Sequence, residues 1–341
     1  MVIEIKTDKP YEVIVEDGVL DRAGEKIAPL VRPGSPAMIV SETNVFPIYG
    51  ERLKASLEKA GIHTAEFVFE AGEPLSTVMQ IYEALAENDF TRSDIIVTLG
   101  GGVAGDMGGF AAATFLRGID FVQVPTSLLA QVDASVGGKT GVDLPFGKNL
   151  VGAFHQPRLV LADPKTLSTL PDAYFTDGMG EVIKYGCIAD AALFDKLEQG
   201  QVIDHLEETI CRCVLCKKHF VEEDTNDKGR RMILNFGHTF GHALEKLTGF
   251  SSLSHGLAVG IGMVMAGEVG ESLGVTEKGT AARIRRVLES YGMPTASAFD
   301  FAKVVEATAL DKKSFGKTLN LILLKQIGES VIHPVDRNYL V

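Results

Sequence analysis

The chain is poor in cysteine, in basic charge and in long apolar runs, and each shortage excludes a class of protein. Its 341 residues include only 4 cysteines, Cys187, Cys211, Cys213 and Cys216. The last three stand close enough together to raise the question of a metal or iron–sulfur cluster. They lie in a helical pattern, where steps of about 100° per residue turn Cys211 well away from Cys213 and Cys216. Reduced, structural thiols are therefore expected. Lys and Arg number 33 against 45 Asp and Glu, a net charge of −12. That argues against a nucleic-acid surface. The longest apolar stretches, such as LAVGIGMVMAG, are too short and too rich in glycine to span a bilayer. The N-terminal MVIEIKTDKPYEV alternates like a strand and lacks the basic-then-apolar layout of a signal peptide. A cytoplasmic protein with no membrane partner is expected. Internal repeats, low-complexity tracts and long linkers are also missing.

What is there reads as an ordinary globular chain, 45% hydrophobic and 23% charged, of a length that suits two domains. Strands and helices alternate through the first half. PAMIVSETNVFP starts as a buried strand and ends in polar residues; residues 47–61 are helical, 64–70 form a strand, and a helix follows to about Asn88. DIIVTL at 94–99 is a continuous apolar strand of the parallel, fully buried kind. Such alternation means βαβ units and a parallel sheet. From Pro171 the helical period dominates until LNLILL at 319–324.

The densest polar chemistry lies at 223–255, EDTNDKGRRMILNFGHTFGHALEKLTGFSSLSH. His238 and His242 are four apart, so a helix puts them on one face. Asn235 and Arg231, three and seven residues before His238, fall on the same side. Gly237 and Gly241 are expected to clear space beside the imidazoles. His255 follows a short break. Three histidines with one acidic residue from elsewhere would make a divalent metal site. The competing reading, surface or core histidines of an amphipathic helix, fits a lone histidine better than this set.

A second concentration is the glycine run. DIIVTL leads directly into Gly100, Gly101, Gly102, Val103, Ala104, Gly105 and Asp106, a formal G-x-G-x-x-G. Strand, glycine turn and helix in that order suit a pyrophosphate, because glycines let the backbone approach the oxygens and the helix N-terminus offers free N–H groups. The usual ribose acid about 20 residues on is not convincing. The earlier strand end, with Glu42 and Asn44, could supply it. The alternative is a tight turn without a ligand. Downstream, Asp133, Lys139, Lys148 and Asn149 are set among glycines and small residues, which suits side chains reaching a bound anion better than a purely solvated loop. Thr126 and Ser127 could hydrogen-bond a nucleotide.

Together these features define the expected class: α/β, with an N-terminal Rossmann-like parallel-sheet nucleotide-binding domain over 1–163 and a C-terminal mainly α-helical metal- and substrate-binding domain over 164–341. The boundary is placed at Asp163-Pro164.

The runs GGGVAGDMGGF, TFLRGIDFVQVPTSLLAQVDASVGGKTGV, GKNLVGAFHQP, GMGEVIKYG and LNFGHTFGHALE resemble the 3-dehydroquinate synthases. That family sits in the sugar-phosphate cyclase superfamily beside the 2-deoxy-scyllo-inosose and valiolone-type synthases. The resemblance implies a homodimeric enzyme dependent on NAD and one divalent metal, zinc or cobalt. It would convert 3-deoxy-D-arabino-heptulosonate 7-phosphate, a small anionic sugar phosphate, to 3-dehydroquinate and phosphate. By that likeness Glu181, His238 and His255 would hold the metal. Asp133, Lys139, Lys148, Asn149, Lys184, Lys217, Arg231, Asn235 and His242 would contact the substrate, with a lysine of Asp311-Lys312-Lys313. Arg117 would reach the neighbouring subunit's site. Glu42, Asn44, Glu73, Gly100, Gly101, Gly102, Asp106, Thr126 and Ser127 would bind NAD, with Lys139, Lys148 and Asn149 near it. Four positions depart from the family pattern: Glu42 replaces an aspartate, Ser76 a lysine, Asp227 a glutamate, and Leu257 the glutamate after His-Gly. The alternatives are a sister cyclase acting on another sugar phosphate, a metal- and NAD-dependent polyol dehydrogenase, and a weakly active homologue.

Overall fold

A computed structural model of the chain describes residues 1–70, 75–144, 147–249, 252–308 and 318–336, without the side chains of 147–149 and 318. The described chain divides into two compact units, Met1–Leu170 and Pro171–Val341. The sequence places the boundary at Asp163-Pro164; here the turn Pro164–Thr169 stays with the first unit. The reason is local bonding. The Asp163 carboxylate accepts N–H groups of Gly18, Leu20 and Lys165, and the Tyr49 hydroxyl donates to the carbonyl of Thr166 at 3.0 Å.

The first unit is built on strands β1 (Val2–Ile5), β2 (Tyr11–Val15), β3 (Ala37–Glu42), β4 (Thr64–Phe69), β5 (Ile95–Gly100) and β6 (Asp120–Pro125), together with β7 (Lys139–Leu144), β8 (Gly147–Phe154) and β9 (Leu159–Ala162). Seven of them form one sheet in the order β1-β2-β9-β6-β5-β3-β4. All its pairings are parallel except β1 with β2. Helices α1 (Ala23–Ile27) and α2 (Phe46–Lys59) belong with one face, and α3 (Leu75–Glu87) and α4 (Gly102–Thr114) with the other. Burial on both faces is why these strands read as unbroken apolar runs. Along β5, Ile95, Val97 and Leu99 enter the core with α2, and Ile96 enters the core with α4. The polar stretch with Lys139, Lys148 and Asn149 is the antiparallel hairpin β7–β8, in which Lys139 pairs with Phe154. Its Val142 is buried in the core with α4, and Val151 and Ala153 pack against the same cluster.

The second unit is mainly helical: α5 (Asp172–Ile188), α6 (Ala191–Glu198), α7 (Leu206–Glu223), α8 (His238–Leu247), α9 (His255–Ser272), α10 (Thr280–Ser290) and α11 (Phe301–Thr308), with the antiparallel pair β10 (Thr318–Gln326) and β11 (Glu329–Asp336). Among the described residues no helix is long and apolar enough to cross a membrane. The four thiols are free. Burial pushes the Cys211 and Cys216 thiols up, to about 11 and about 12, away from reactive thiolate character.

Two expectations about 223–255 change. Arg231 and Asn235 do not continue the histidine helix. They lie in a 3-10 turn, Arg230–Asn235, and the chain then passes through Gly237 at φ 79°, a left-handed conformation that ends it before α8 begins. Gly237 and Gly241 also do not make room for imidazoles. A Cβ on Gly241 would lie 3.1 Å from Val259 Cα, and one on Gly262 would lie 2.0 Å from the Gly237 carbonyl oxygen. These glycines let α9 press against α8.

Candidate metal centre and nucleotide loop

In the second unit three helices bring one carboxylate and three imidazoles together. Glu181 comes from the middle of α5, His238 from the first residue of α8, and His255 from the first residue of α9. The ligand atoms of Glu181, His238 and His255 all lie within 4.8 Å of one another. Glu181 Oε1 faces His238 Nε2 at 3.5 Å and His255 Nε2 at 3.4 Å. Glu181 Oε2 is paired with Lys184 Nζ, one turn along α5. The two carboxylate oxygens are thus divided between an ammonium group and the two imidazoles. His242, one turn beyond His238, is exposed; its ring lies 5.4 Å from that of His238 and 5.8 Å from that of His255.

Two close backbone approaches converge these helices. A Cβ on Gly180 would meet the Gly256 carbonyl oxygen at 2.6 Å, and a Cβ on Gly256 would meet the Asp177 carbonyl oxygen at 1.8 Å. Only glycine at both positions lets the start of α9 sit on α5, and the residues beside them are Glu181 and His255. Asp177 Oδ1 accepts the Gly256 N–H at 2.7 Å, satisfying a free donor at the helix N-terminus.

Electrostatics separates the two facing histidines. Burial drives His238 down to about 3, against the pull of Glu181, so its imidazole is neutral. Burial also acts to lower His255, but hydrogen bonding and charge from Glu181 and Glu245 outweigh it and raise the group to about 10. The His238 Nδ1 lies 3.1 Å from the Phe236 carbonyl oxygen, to which it donates when Nε2 carries the lone pair. Two imidazole Nε2 atoms and a carboxylate oxygen, converging with both Nε2 atoms turned inward, fit a divalent metal with three protein ligands and positions left for substrate oxygens.

The anion-binding candidates of this unit sit nearby in sequence. Lys217 is buried on α7. Arg231 is 1% exposed, its N–H is held by Asp224 Oδ2 at 3.2 Å, and its guanidinium donates to the Thr225 carbonyl at 2.8 Å. Asp224 also accepts the N–H groups of Lys228 and Gly229, so one carboxylate closes the loop that delivers Arg231. Asp227 lies within that loop at φ 55°. Aspartate tolerates this left-handed conformation better than longer side chains do, which gives a reason for aspartate in place of glutamate. Asn235, half-buried, closes the 3-10 turn. Leu257 is half-buried in the first turn of α9 and Ser76 is exposed on α3. Glu73 and Asp311-Lys312-Lys313 lie outside the described residues, as do the side chains of Lys148 and Asn149.

In the first unit the glycine run follows β5 into α4. A Cβ would strike Gln123 at 2.6 Å from Gly105, Thr98 at 2.4 Å from Gly108 and Thr140 at 2.6 Å from Gly109, so those glycines serve helix-on-sheet packing. Gly101 and Gly102 differ. Their added Cβ atoms would make ordinary contacts, at 3.5 Å to Ser127 and 3.6 Å to Ala134, and Gly101 has φ −74°. Among the described residues nothing requires glycine at these two positions, and the turn is open to close approach. Glu42 reaches this turn: its carboxylate accepts the Ala104 N–H, and burial raises its pKa more than that bond lowers it. Thr126 donates its backbone N–H to the Gly100 carbonyl at 2.8 Å, and Ser127 stands beside Gly101. Asp106 is half-buried on α4, Asn44 is exposed, and Asp133 lies in a π-helical turn, Ala130–Ala134, an irregularity that occurs often at functional sites. Lys139 is exposed at the start of β7. Arg117 is exposed in a tight turn where Leu116 and Arg117 have φ 50° and 69°.

The residues missed in the sequence are Asp177, Asp224 and Glu245. Only Glu245 left a local signal, seven residues after His238 and three after His242, on the face of the same helix.

A mostly parallel sheet with a glycine turn in one unit and a carboxylate–imidazole centre in a helical unit suit an enzyme that uses a nucleotide and a divalent metal. A 2-deoxy-scyllo-inosose synthase solved with carbaglucose-6-phosphate, NAD+ and Co2+ superposes with a TM-score of 0.88 at 26% identity, covering 99% of this chain and 97% of that one. The 2-epi-5-epi-valiolone synthase of Streptomyces hygroscopicus, with NAD+ and Zn2+ bound, gives 0.86 at 26% identity, covering 97% and 94%. The profile described as 3-dehydroquinate synthase N-terminal matches residues 67–177, and the one described as 3-dehydroquinate synthase C-terminal matches 178–314. The 3-dehydroquinate synthase of Clostridium acetobutylicum is 45% identical over 334 residues, 96% of this chain and 94% of that protein. The chain belongs to the 3-dehydroquinate synthase family.

Proposed function

We infer that the protein converts 3-deoxy-D-arabino-heptulosonate 7-phosphate to 3-dehydroquinate and phosphate, using NAD and one divalent metal, zinc or cobalt. The observation that carries this reading is the single oxygen of Glu181 facing the Nε2 atoms of both His238 and His255. Glu181, His238 and His255 would hold the metal, which would supply polarisation of a substrate hydroxyl, and NAD would supply reversible hydride acceptance, so that the net reaction would be phosphate elimination and ring closure rather than oxidation.

The protein's own groups bind and orient. Gly101 and Gly102 admit the dinucleotide phosphates, with Gly100, Thr126 and Ser127 around them. Glu42, Asn44, Glu73 and Asp106 complete the cofactor contacts. Lys184, held by Glu181, places a positive charge beside the metal ligands. Arg231 suits a carboxylate through its planar fork, and Lys217, Lys139, Lys148, Asn149, Asn235 and His242 share the phosphate and hydroxyl contacts with Asp133. Arg117, exposed on its strained turn, is assigned to the neighbouring site of a homodimer. A cytoplasmic location fits the same reading.

The test is phosphate release by metal-stripped protein given back Zn²⁺ or Co²⁺ with NAD⁺. Metal-dependent release from the heptulosonate, without net NADH, is expected. Release from glucose 6-phosphate or sedoheptulose 7-phosphate instead would move the protein to a sister cyclase. Silence with all three would make it a homologue without this activity.

A further inference from the structure

His255 stands between two buried carboxylates. Its Nε2 faces Glu181 Oε1 at 3.4 Å, and its Nδ1 faces Glu245 Oε2 at 3.6 Å. Glu245 is 2% exposed, two turns along α8 from His238. The ligand atoms of His242, Glu245 and His255 lie within 4.8 Å of one another, so the carboxylate is on the same side as the imidazoles. A carboxylate buried this deeply is costly unless its charge is used, and an apolar side chain would fill that helix position at lower cost. His238 offers a comparison. Its Nε2 also faces Glu181, but its Nδ1 is met by the neutral carbonyl of Phe236. The two metal-facing histidines are oriented alike and supported differently, one by a backbone dipole and one by a full charge.

The geometry points to Glu245 as a positioning residue. It holds His255 with the proton on Nδ1 and the lone pair on Nε2, and its charge strengthens that nitrogen as a donor. This rests on the metal reading above. A carboxylate behind a histidine ligand fixes the tautomer and the ring plane, and removing such a partner weakens metal binding by about 10- to 100-fold. The role separates Glu245 from Glu181 although both carboxylates touch the same ring: Glu181 shares the metal's side of the imidazole and Glu245 the far side.

The experiment uses the full chain stripped of metal and titrated with Co²⁺ and with Zn²⁺, comparing wild type with Glu245→Gln, Glu245→Leu and a remote core variant, Val287→Ala, as a control for lost stability. Expected are one metal per chain throughout, affinity weakened about tenfold in Glu245→Gln and about 100-fold in Glu245→Leu, a shifted Co²⁺ absorption spectrum in both, and neither change in Val287→Ala. A Glu245→Gln protein with wild-type affinity and spectrum overturns the positioning role and leaves the metal site standing. Two metals per wild-type chain also overturn it, making Glu245 and His242 ligands of a second ion. A wild type that takes up no metal overturns both readings. Should the Glu245 variants not fold, nitrogen chemical shifts of labelled histidine in the Zn²⁺-loaded wild type decide: a proton on His255 Nδ1 supports the role, and metal on Nδ1 overturns it.

Discussion

Asp177 and Gly256 are locked together at the base of the metal centre: the Asp177 carboxylate accepts the Gly256 N–H at 2.7 Å, while the Asp177 carbonyl leaves no room for a Cβ on Gly256. This pair fixes where α9 begins and so where His255 stands. Gly256→Ala should destabilise the protein by about 2 kcal/mol or more. Asp177→Ala should cost about 1–2 kcal/mol and Asp177→Asn much less, since the amide oxygen still accepts. Denaturant titrations of the metal-free proteins read all three.

Lys184 and Glu181 make the buried ion pair of this centre, with side chains 2% and 1% exposed. Removing one partner of a buried pair costs about 3–5 kcal/mol when the remaining charge has no other partner. Here the protonated His255 at 3.4 Å compensates part of the Glu181 charge, so Lys184→Met should be destabilised without metal by less than that. Saturating Zn²⁺ should recover part of the loss by restoring a positive charge beside Glu181. Equal losses with and without Zn²⁺ would contradict the placement of the ion.

Metal uptake should release protons. At neutral pH His238, pushed down to about 3, is already neutral, whereas His255, raised to about 10, carries a proton that the metal must displace. About one proton per metal should be released at pH 7, and affinity should rise about tenfold per pH unit up to the His255 range. Titration calorimetry in buffers of different ionisation enthalpy measures both. The linkage to stability carries the opposite sign for the two groups. The raised His255 contributes stability that is complete below about 6.5 and is lost as pH climbs toward 10. The lowered His238 contributes stability that is present above about 6.5 and is lost as pH falls toward 3.

The glycines of the nucleotide turn should separate by mutation. Gly108→Ala drives a methyl into Thr98 and should destabilise the first unit by about 1–3 kcal/mol. Gly101→Ala meets only ordinary contacts and should melt like wild type, yet bind NAD⁺ about tenfold more weakly, a loss of about 1.4 kcal/mol. Fluorescence titration with NADH and thermal melts distinguish the two effects.

Asp224 should act through Arg231. Its carboxyl is shifted down: burial raises it, but N–H groups from Lys228, Gly229 and Arg231, with the Arg231 charge, lower it further. The stability it contributes is therefore present above its ordinary value near 4 and lost as pH falls below that. Asp224→Ala should loosen the Arg231 loop and raise KM for the heptulosonate about tenfold with a smaller change in kcat. Steady-state phosphate release reads that ratio.

Much of this molecule is written locally. Ile95 to Leu99 announce a strand buried on both faces, the glycines after them announce a helix N-terminus open to phosphate, and the spacings of His238 with His242 and Glu181 with Lys184 place each pair on one helix face. Periodicity reports a face because backbone geometry repeats every 3.6 or 2 residues. It does not report which faces meet. The convergence of Glu181, His238 and His255 depends on Gly180 and Gly256 letting α5 and α9 touch. The separation of Arg231 and Asn235 from the histidine helix depends on Gly237 turning left-handed. The carboxylate of Glu245 shared the histidines' helix face all along, but its partner His255 comes from another helix, and its Nδ1 is reached only once α9 packs on α8. Chain-local chemistry thus determined which groups are available, and tertiary packing, through close glycine contacts and buried carboxylates, decided which of them act together.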